Sequence, residues 1–314
     1  RLHLLVGPRD GDKALPRAII AQGPLQTRAQ QAALMRLAED VIAHGLGGEC
    51  RYRALHEVLL GGYPTVRGRR RGAVLQTTDL KEMRRLVAGL KESHLFIQGP
   101  PGSGKTWTGA RLIVDLIRQE KRVGVAAMSH KAINNMLAEV EEAAAKEGVK
   151  FKGLKKCVAL DDETAFAGKM IASSTKNEDF ASYRLDLRLL AGTAWLFARE
   201  EMDSTLDYLL MDEAGQISLA DGLAMGTCAK NLVLLGDPLQ LAQVSKGVHP
   251  GQASRSVLEY LLGDAGTIPI NRGIFLEQTR RLHPRVCEFI SEVVYEGRLT
   301  SSPLCARRRV DGDG

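Results

Sequence analysis

The fold of this chain is decided by the stretch Leu95-Phe96-Ile97-Gln98-Gly99-Pro100-Pro101-Gly102-Ser103-Gly104-Lys105-Thr106. Its last eight residues match G-x-x-x-x-G-K-[ST], the pattern of a glycine-rich loop that binds phosphates. The apolar residues before the loop predict a strand, and the residues after it predict a helix over Thr106–Gln119. Backbone N–H groups of such a loop surround phosphates at a helix N-terminus. We therefore predict that Gly99–Thr106 binds a nucleoside triphosphate.

The last two residues of this loop have different chemical tasks in the prediction. Lys105 places a positive charge at the β- and γ-phosphates, which assists catalysis as well as binding. The Thr106 hydroxyl is a ligand for Mg²⁺. The nucleotide is therefore expected to bind together with a magnesium ion.

A pair of carboxylates follows a second apolar run. Leu206–Met211 is an apolar run whose last residues predict a buried strand, and Asp212 and Glu213 come directly after it. The carboxyl end of a strand in a parallel sheet faces the ligand crevice. We predict that Asp212 holds Mg²⁺ through water and that Glu213 orients or deprotonates an attacking water. Adjacent acids are also common on plain surfaces, so the prediction depends on the strand that precedes them.

The pattern along the chain is typical of an α/β fold with a central parallel sheet. From residue 93 onward, short apolar runs alternate with longer amphipathic stretches. The predicted strands are Leu95–Gln98, Val123–Ala127, Tyr208–Met211 and Leu232–Leu235, and a further helix is predicted over Lys131–Lys146. Helical spacing near 26–43 and 78–90 predicts a mainly helical N-terminal segment.

Composition and cysteine usage exclude several classes of protein. The 314 residues are 44% hydrophobic and 25% charged, which is ordinary for a soluble globular protein. No apolar run approaches the ~20 residues of a membrane helix, so we expect no membrane partner. Five cysteines without a C-x-x-C pair argue against a disulfide framework, a zinc ribbon and an iron–sulfur site. We expect a reducing cytoplasm as the compartment.

The positive charge of the chain is unevenly placed. Residues 1–98 carry 16 Lys and Arg against 9 Asp and Glu, a net charge of +7, while the remainder has a net charge of −1. Basic clusters at Arg67–Arg71 and Arg307–Arg309 suit the phosphates of a nucleic-acid backbone. A solvated surface loop is the alternative for either cluster.

Four ordered motifs resemble those of superfamily 1 helicases, in the branch of the RNA-surveillance helicase and the Okazaki-fragment nuclease-helicase. They are Phe96–Thr106 (motif I), Asp212–Gln216 (motif II), Leu235–Leu241 (motif III) and Arg281–Pro284 (motif IV), which continues to Leu299. Val123–Leu137 and Lys246–Pro250 also resemble a bacterial family that fuses a RecB-like nuclease to such a helicase. The resemblance covers about residues 93–300 and implies a RecA-like motor domain that uses ATP and Mg²⁺.

The resemblance also implies roles for individual residues. The motif III glutamine, here Gln240, senses the γ-phosphate, and the motif IV arginine, here Arg281, reaches it like an arginine finger. Both roles suit the chemistry, because an amide donates and accepts hydrogen bonds and a guanidinium is a permanent planar cation. The implied contacts to single-strand phosphates are Ser129, His130, Lys131 and Thr193, with Asn134 as a further candidate. For Ser129, capping of the following helix is the alternative.

Two departures from the family concern recognition of the adenine base. The family places a tyrosine before the motif IV arginine, whereas this chain has Arg280, whose guanidinium plane could stack on the base instead. The family also has an upstream glutamine that reads the adenine edge. Gln76 is the nearest upstream candidate, but its surroundings do not match, and Gln98 is a weaker candidate within the strand.

The expected domain organisation follows from which residues resemble the helicase family. Residues 1–92 form a basic, mainly helical segment, 93–300 form the first motor domain with a candidate inserted subdomain at 148–190, and 301–314 form a tail or the start of another domain. Nothing after Leu299 supplies the motifs of a second RecA-like domain. We therefore expect the chain to be part of a longer protein that carries a covalently linked second RecA-like domain and, by the bacterial resemblance, a nuclease domain.

The resulting hypothesis is the ATP-binding motor domain of a DNA or RNA helicase. Mg²⁺-dependent ATP hydrolysis would be coupled to stepping along single-stranded DNA or RNA, with Lys105, Glu213, Gln240 and Arg281 as catalytic residues. The main alternative is a nucleic-acid-binding module with an incomplete nucleotide site, and it predicts binding that is strongly salt-dependent. A small-molecule kinase that uses the same loop is a third, weaker alternative.

Overall fold

A computed structural model describes residues 26–180, 184, 186–240 and 251–308 of the chain. The helices are α1 Arg28–His44, α2 Arg53–Leu59, α3 Leu80–Ala88, α4 Lys105–Arg118, α5 His130–Lys146, α6 Ala194–Phe197, α7 Leu219–Gly226, α8 Val257–Leu262 and α9 Pro284–Val294. The strands are β1 His94–Gln98, β2 Val123–Ala126, β3 Gly153–Lys156, β4 Ile171–Ser174, β5 Leu189–Gly192, β6 Leu206–Met211, β7 Ala229–Gly236, β8 Gly273–Phe275, β9 Gln278–Thr279 and β10 Thr300–Ser301.

Eight of these strands form one sheet in the order β4-β3-β5-β2-β6-β7-β1-β8. Every pairing between neighbours is parallel. β1 lies between β7 and β8, and the motif I loop therefore leaves the sheet beside the strand that carries motif III. The predicted α/β class with a central parallel sheet and an N-terminal helical segment is confirmed.

Alternate residues of the strands pack against two different helical layers. Leu95 and Ile97 of β1 belong to the core that also contains side chains of α3, α4 and α5. Phe96 belongs to the opposite core, which contains side chains of α1, α2, α7 and α8. The same alternation occurs in β6 and β7, because successive side chains of a strand point to opposite faces. The sheet is therefore buried on both faces, as parallel sheets require.

The N-terminal helices share this core with the motor sheet. Leu37 of α1 and Leu55 of α2 are buried in the same cluster as Phe96 of β1. α1 contacts α6 and α7, and α2 contacts β1 and β7. The basic cluster 67–71 lies between α2 and α3, where Arg69 forms an ion pair with Glu82.

The segment 148–190, expected as a candidate subdomain, contributes three strands to the main sheet instead. β3, β4 and the start of β5 lie in it, at one edge of the sheet. β9 and β10 form a separate parallel pair next to the motif IV residues. The stretches 1–25, 241–250 and 309–314 lie outside the described residues; they include Leu241 of motif III, Arg309 and part of the nuclease-fusion resemblance. In the part of the chain that the structure describes, no helix is long and apolar enough to span a membrane.

Candidate nucleotide site and nucleic-acid groove

The motif I loop has the backbone conformation that phosphate binding requires. It connects β1 to α4, and Gly102 and Gly104 have positive φ angles of 77° and 86°. Residues with a side chain rarely adopt these angles. The Nζ atom of Lys105 donates a hydrogen bond to the carbonyl of Gly99 at 2.8 Å, so the ammonium folds back over the loop. The predicted strand–loop–helix arrangement is present, and Thr106 lies half-buried in the first turn of α4.

The motif IV segment is docked directly on this loop. Thr279 Oγ1 donates a hydrogen bond to the Pro101 carbonyl at 2.7 Å, and the backbone N–H of Arg280 donates to the Gly102 carbonyl at 2.9 Å. A Cβ atom at Gly102 would lie 2.3 Å from the Cβ atom of Arg281. The backbone and Cβ atom of Arg281 therefore lie against the phosphate loop, although the two segments are far apart in sequence.

The side chain of Arg281 is available at this position. It is exposed, and its guanidinium makes no hydrogen bond or ion pair within the described part of the chain. The backbone is held by hydrogen bonds at Thr279 and Arg280, so the guanidinium can move without disturbing the loop. This arrangement allows the cation to reach an anion bound by the loop.

The two motif II carboxylates lie at the carboxyl end of β6 in different environments. Asp212 is 3% exposed, and its N–H bonds to the Ala126 carbonyl at 2.8 Å. Burial and the neighbouring negative charge of Glu213 raise the pKa of Asp212 to about 7, while the Glu213 backbone N–H and the charge of Lys105 oppose the shift. Glu213 is half-buried and has a positive φ of 50°, a strained angle for a non-glycine residue.

These environments fit a magnesium site. Ionising a buried carboxyl costs free energy, and a divalent cation beside it offsets that cost because the cation stabilises the charged form. Asp212 and the Thr106 hydroxyl are the oxygen donors that would hold Mg²⁺, an ion that prefers oxygen ligands and keeps several waters. Lys105 influences Asp212 electrostatically, so the motif I lysine and the motif II acid belong to one site.

Motif III is tied to the end of the motif IV block through a buried carboxylate. Asp237 is 4% exposed, and its Oδ2 atom accepts hydrogen bonds from Tyr295 Oη at 2.6 Å and from Gln240 Nε2 at 3.3 Å. Burial and the hydrogen bond to Asp237 raise the pKa of Tyr295, so the phenol remains a donor. The backbone N–H of Gly99 also bonds to the Gly236 carbonyl at 2.9 Å, which joins motif III to the phosphate loop.

A cavity of about 160 Å³ adjoins the phosphate loop on the side of α3. Its lining combines apolar and polar side chains, including Leu80, Met83, Ser103, Trp107, Glu277 and Arg280. Neither glutamine considered from sequence lines it. Gln76 is hydrogen-bonded to the backbone of Phe275, and Gln98 to the backbone of Ile268 and Gly266. Both glutamines support the β8 edge of the sheet, and an adenine-edge role for either one stays a prediction.

The predicted nucleic-acid residues gather at the carboxyl ends of β2 and β5. A groove of about 680 Å³ is lined by His130 and Thr193 together with Met128, Lys156, Trp195 and Arg199. Trp195 is 41% exposed, and its Nε1 donates to the Gln26 carbonyl at 2.9 Å. Ser129 and Lys131 line an adjacent hollow with Glu213 and Gln216. The four predicted residues thus lie along one continuous edge of the sheet.

Some of these residues also have local structural roles. The Ser129 hydroxyl caps α5 by accepting a hydrogen bond from the Ala132 N–H at 3.1 Å, which was the alternative considered from sequence. Asn134 Nδ2 donates to the carbonyls of Glu163 and Ala165 and so holds the loop after β3. Burial and the nearby charge of Lys155 lower the pKa of His130, which favours its neutral form.

Two features of the site are absent from the sequence predictions. Tyr295 was recognised as part of the motif IV block but without a role, and Trp195 was not singled out at all. A tyrosine within the block and a tryptophan two residues after Thr193 were the available signals. Neither signal is informative alone, because an aromatic residue at such a position is more often part of a core.

The phosphate-binding loop follows β1, the buried Asp212 follows β6, and Gln240 follows β7, and these three strands are neighbours in a parallel sheet. This arrangement defines the class of P-loop NTPases. Comparison with known proteins narrows the class. The family model described as "AAA domain" matches residues 81–259. The chain belongs to this AAA domain family and, within P-loop proteins, is a superfamily 1 helicase of the Upf1/Dna2 branch, represented by its first motor domain.

Two yeast helicases support this assignment by their sequences. The ATP-dependent helicase NAM7 of Saccharomyces cerevisiae is 29% identical over 251 residues, covering 68% of this chain and 25% of that protein. The DNA replication ATP-dependent helicase/nuclease DNA2 of the same yeast is 29% identical over 160 residues, covering 49% of this chain and 10% of that protein. The chain therefore spans a quarter or less of the length of these relatives. A complex of arterivirus nonstructural protein 10 (helicase) with DNA has a TM-score of 0.43 and 16% identity, covering 67% of this chain and 41% of that one.

Proposed function

We propose that this chain is an ATP-hydrolysing motor domain that converts Mg²⁺-dependent ATP hydrolysis into movement along a single strand of nucleic acid. The observation that carries the proposal is the docking of the motif IV segment on the phosphate loop, which sets Arg281 beside the loop that holds Lys105. A phosphate loop alone would suit many nucleotide-binding proteins. A guanidinium next to it that has no partner among the described residues suits stabilisation of charge on a transferring phosphoryl group.

The residues divide the reaction among them in this proposal. Lys105 neutralises the β- and γ-phosphates, while Thr106 and Asp212 would hold Mg²⁺, which would supply further positive charge to the phosphates. Glu213 orients the attacking water and accepts its proton, and Arg281 stabilises charge on the γ-phosphate. Gln240 is linked through Asp237 to Tyr295, so a change at the γ-phosphate can be passed to α9.

The cavity beside the loop is the proposed base pocket. Arg280 lines it, and the guanidinium plane of an arginine can stack on a purine ring. Trp107 also lines it, but the Arg111 guanidinium lies 3.9 Å from the centre of its ring and covers one face. Replacing Arg280 with alanine is therefore expected to weaken binding of ATP more than binding of inorganic triphosphate.

The groove at the ends of β2 and β5 is the proposed path of the single strand. Lys156 and Arg199 supply positive charge, and Thr193 supplies a hydroxyl for a phosphate. The exposed Trp195 ring offers one surface for base stacking, which is tolerant of sequence and of sugar type. The adjacent hollow that contains Lys131 and Glu213 connects this path to the hydrolytic site.

A complete motor is proposed to require a second RecA-like domain linked to this one. A second domain would supply another arginine to the exposed side of the nucleotide and would close the groove over the strand. A nuclease domain in the same protein, single-stranded DNA or RNA as substrate, and a reducing cytoplasmic location are parts of the same proposal. The domain limits 1–92, 93–300 and 301–314 remain predictions.

The first experiment measures ATP binding and hydrolysis by this chain with and without single-stranded DNA. Lys105→Ala is expected to weaken ATP binding by about 10- to 100-fold, because a charge-assisted hydrogen bond contributes about 1.5–3 kcal/mol. Glu213→Gln is expected to keep ATP binding and to lose hydrolysis. Lys91→Ala, a change of an exposed lysine before β1, is the matched control and should leave both unchanged.

The alternative of a nucleic-acid-binding module with an inactive nucleotide site gives a different result. Binding to single strands would then be tight and salt-dependent but indifferent to ATP and to Lys105→Ala. ATP binding without hydrolysis would instead indicate half of a catalytic site. Phosphorylation of a small acceptor in stoichiometric yield would support the kinase alternative and contradict the motor proposal.

A further inference from the structure

A cluster of metal-ligating side chains lies outside the nucleotide site, where α1, the loop 45–52 and α2 meet. A carboxylate oxygen of Asp40, the Sγ atom of Cys50 and a ring nitrogen of His56 all lie within 4.8 Å of one another. Asp40 and His56 are buried, and Cys50 is half-buried. None of the three belongs to a motif used for nucleotide or nucleic acid, so the proposed function leaves this cluster unexplained.

The state of His56 points to a missing ligand. The residue is 1% exposed, and neither of its ring nitrogens makes a hydrogen bond with any of the described residues. Its Nε2 lies 3.2 Å from Asp40 Oδ2, but the alignment is not that of a hydrogen bond. Buried polar groups are almost always paired, because an unpaired one loses its hydration without compensation. A metal ion between the nitrogen and the carboxylate would use both lone pairs.

The carboxylate of Asp40 is already held in place for such a role. Its Oδ1 accepts hydrogen bonds from the Arg51 N–H at 3.2 Å and from His44 Nδ1 at 3.0 Å. Its Oδ2 accepts one from the Tyr52 N–H at 3.3 Å. Carboxylates that bind metals are commonly oriented by such additional partners. The loop that carries Cys50 is therefore fixed against the end of α1 through Asp40.

The neighbouring positive charges are engaged by another carboxylate. Arg51 lies 3.0 Å and Arg36 lies 3.3 Å from Asp203, and the Tyr52 hydroxyl bonds to the same residue. Asp203 thus takes the Arg36 and Arg51 guanidinium groups, so the side chains beside the Asp40 carboxylate are the rings of His44 and His56.

We propose that Asp40, Cys50 and His56 bind one Zn²⁺ ion, with a water molecule as the fourth ligand and His44 as the residue that positions Asp40. A thiolate, an imidazole and a carboxylate suit Zn²⁺, whereas Mg²⁺ and Ca²⁺ require oxygen ligands. On binding, the Cys50 thiol releases its proton to solvent and the resulting thiolate bonds to the ion. The cluster has no C-x-x-C spacing, so the pattern that identifies zinc ribbons does not identify it.

The required movement is small. In a tetrahedral zinc site with bonds of about 2.0–2.3 Å, ligand atoms are about 3.3–3.8 Å apart, so the cluster needs to contract by about 1 Å. Cys50 follows a turn in which Gly45 and Gly47 have positive φ angles, and such a turn adjusts at little cost. The ion would then join α1 to α2 and attach the N-terminal helices more firmly to the motor core.

The test uses Co²⁺ as a spectroscopic substitute for Zn²⁺ on chelator-treated protein, without nucleotide. One equivalent of Co²⁺ is expected to produce a thiolate-to-cobalt charge-transfer band, and one equivalent of Zn²⁺ is expected to abolish it. Cys50→Ser should lose the band, and His44→Ala should retain it with about 10- to 100-fold weaker affinity. Cys305→Ala, which removes a buried thiol elsewhere, is the matched control and should leave the band unchanged.

The wild-type spectrum decides the proposal even if a variant folds poorly. Absence of a charge-transfer band, a band that persists in Cys50→Ser, or a stoichiometry well below one would overturn it. A melting temperature that rises with Zn²⁺ in the wild type and in Cys305→Ala, but not in His56→Gln, is the independent supporting result. Because no ATP is present, failure of the motor proposal leaves this test unaffected.

Discussion

Replacing Asp212 with asparagine separates the cost of burying this carboxyl from its role in binding Mg²⁺. The pKa rises from 3.8 to about 7, chiefly through burial. A shift of about three units corresponds to about 4 kcal/mol, at 1.36 kcal/mol per unit. A carboxyl whose pKa is raised by folding favours the native state below its unfolded pKa, and this contribution is lost as the pH rises to the folded pKa. The contribution of Asp212 to the stability of the wild-type chain should therefore be lost between about pH 4 and pH 7.

Asparagine keeps the side-chain oxygen that accepts from the Glu213 N–H at 3.0 Å, and it never ionises. Relative to wild type, Asp212→Asn is expected to gain stability by under 2 kcal/mol at about pH 5 and by about 4 kcal/mol at about pH 8. The increment of about 2–3 kcal/mol between the two pH values is independent of how well the amide packs. Mg²⁺-dependent ATP hydrolysis should be lost in the same variant.

The assay is urea denaturation at the two pH values, in chelator and without nucleotide. Asp264→Asn, a change of an exposed carboxyl after α8, is the control and should show little pH-dependent gain. A stability difference that is the same at both pH values would refute the argument that burial of this carboxyl raises its pKa. Retention of Mg²⁺-dependent hydrolysis by Asp212→Asn would refute its proposed role as a metal ligand.

Three other changes test the packing around the site. Gly102→Ala should abolish ATP binding in a titration, because the added Cβ meets the motif IV segment at 2.3 Å, whereas Gly263→Ala, with a similar φ but open space, should not. Tyr295→Phe should reduce the free energy of unfolding by about 1–3 kcal/mol, because the Asp237 carboxylate loses a buried donor, and an unchanged unfolding midpoint would contradict this. Ser256→Ala should cost about 1 kcal/mol of stability in the same assay by removing the cap of α8, and no loss would show the capping box to be dispensable.

The central strands and the phosphate loop were predictable because their local patterns are strong. β1 and β2 were each predicted to within one residue, and α4 and α5 likewise, since a buried parallel strand is almost wholly apolar and its crossover helix is amphipathic. The motif spacing also predicted that Lys105 and Asp212 share one site.

The edge strands were not predictable for the opposite reason. β3 reads Gly-Leu-Lys-Lys, which resembles a polar loop, yet Lys155 is buried with its ammonium bonded to the Thr164 carbonyl. Burial also lowers the pKa of this lysine. A lysine in a sequence usually indicates an exposed position, so the sequence gives no sign that Lys155 is buried. Tertiary pairing with β5 overrides the weak local preference of such a four-residue segment.

The sequence by itself determined the nucleotide loop, the acids after β6 and the class of fold, because each depends on residues that are close together in the chain. Only the tertiary structure decided which distant segments meet. It set Arg281 against Gly102, joined Tyr295 to Asp237, and brought Cys50 and His56 to Asp40. These contacts depend on strand order and helix packing, which arise from burial of apolar surface across the whole chain and leave no fixed spacing in the sequence.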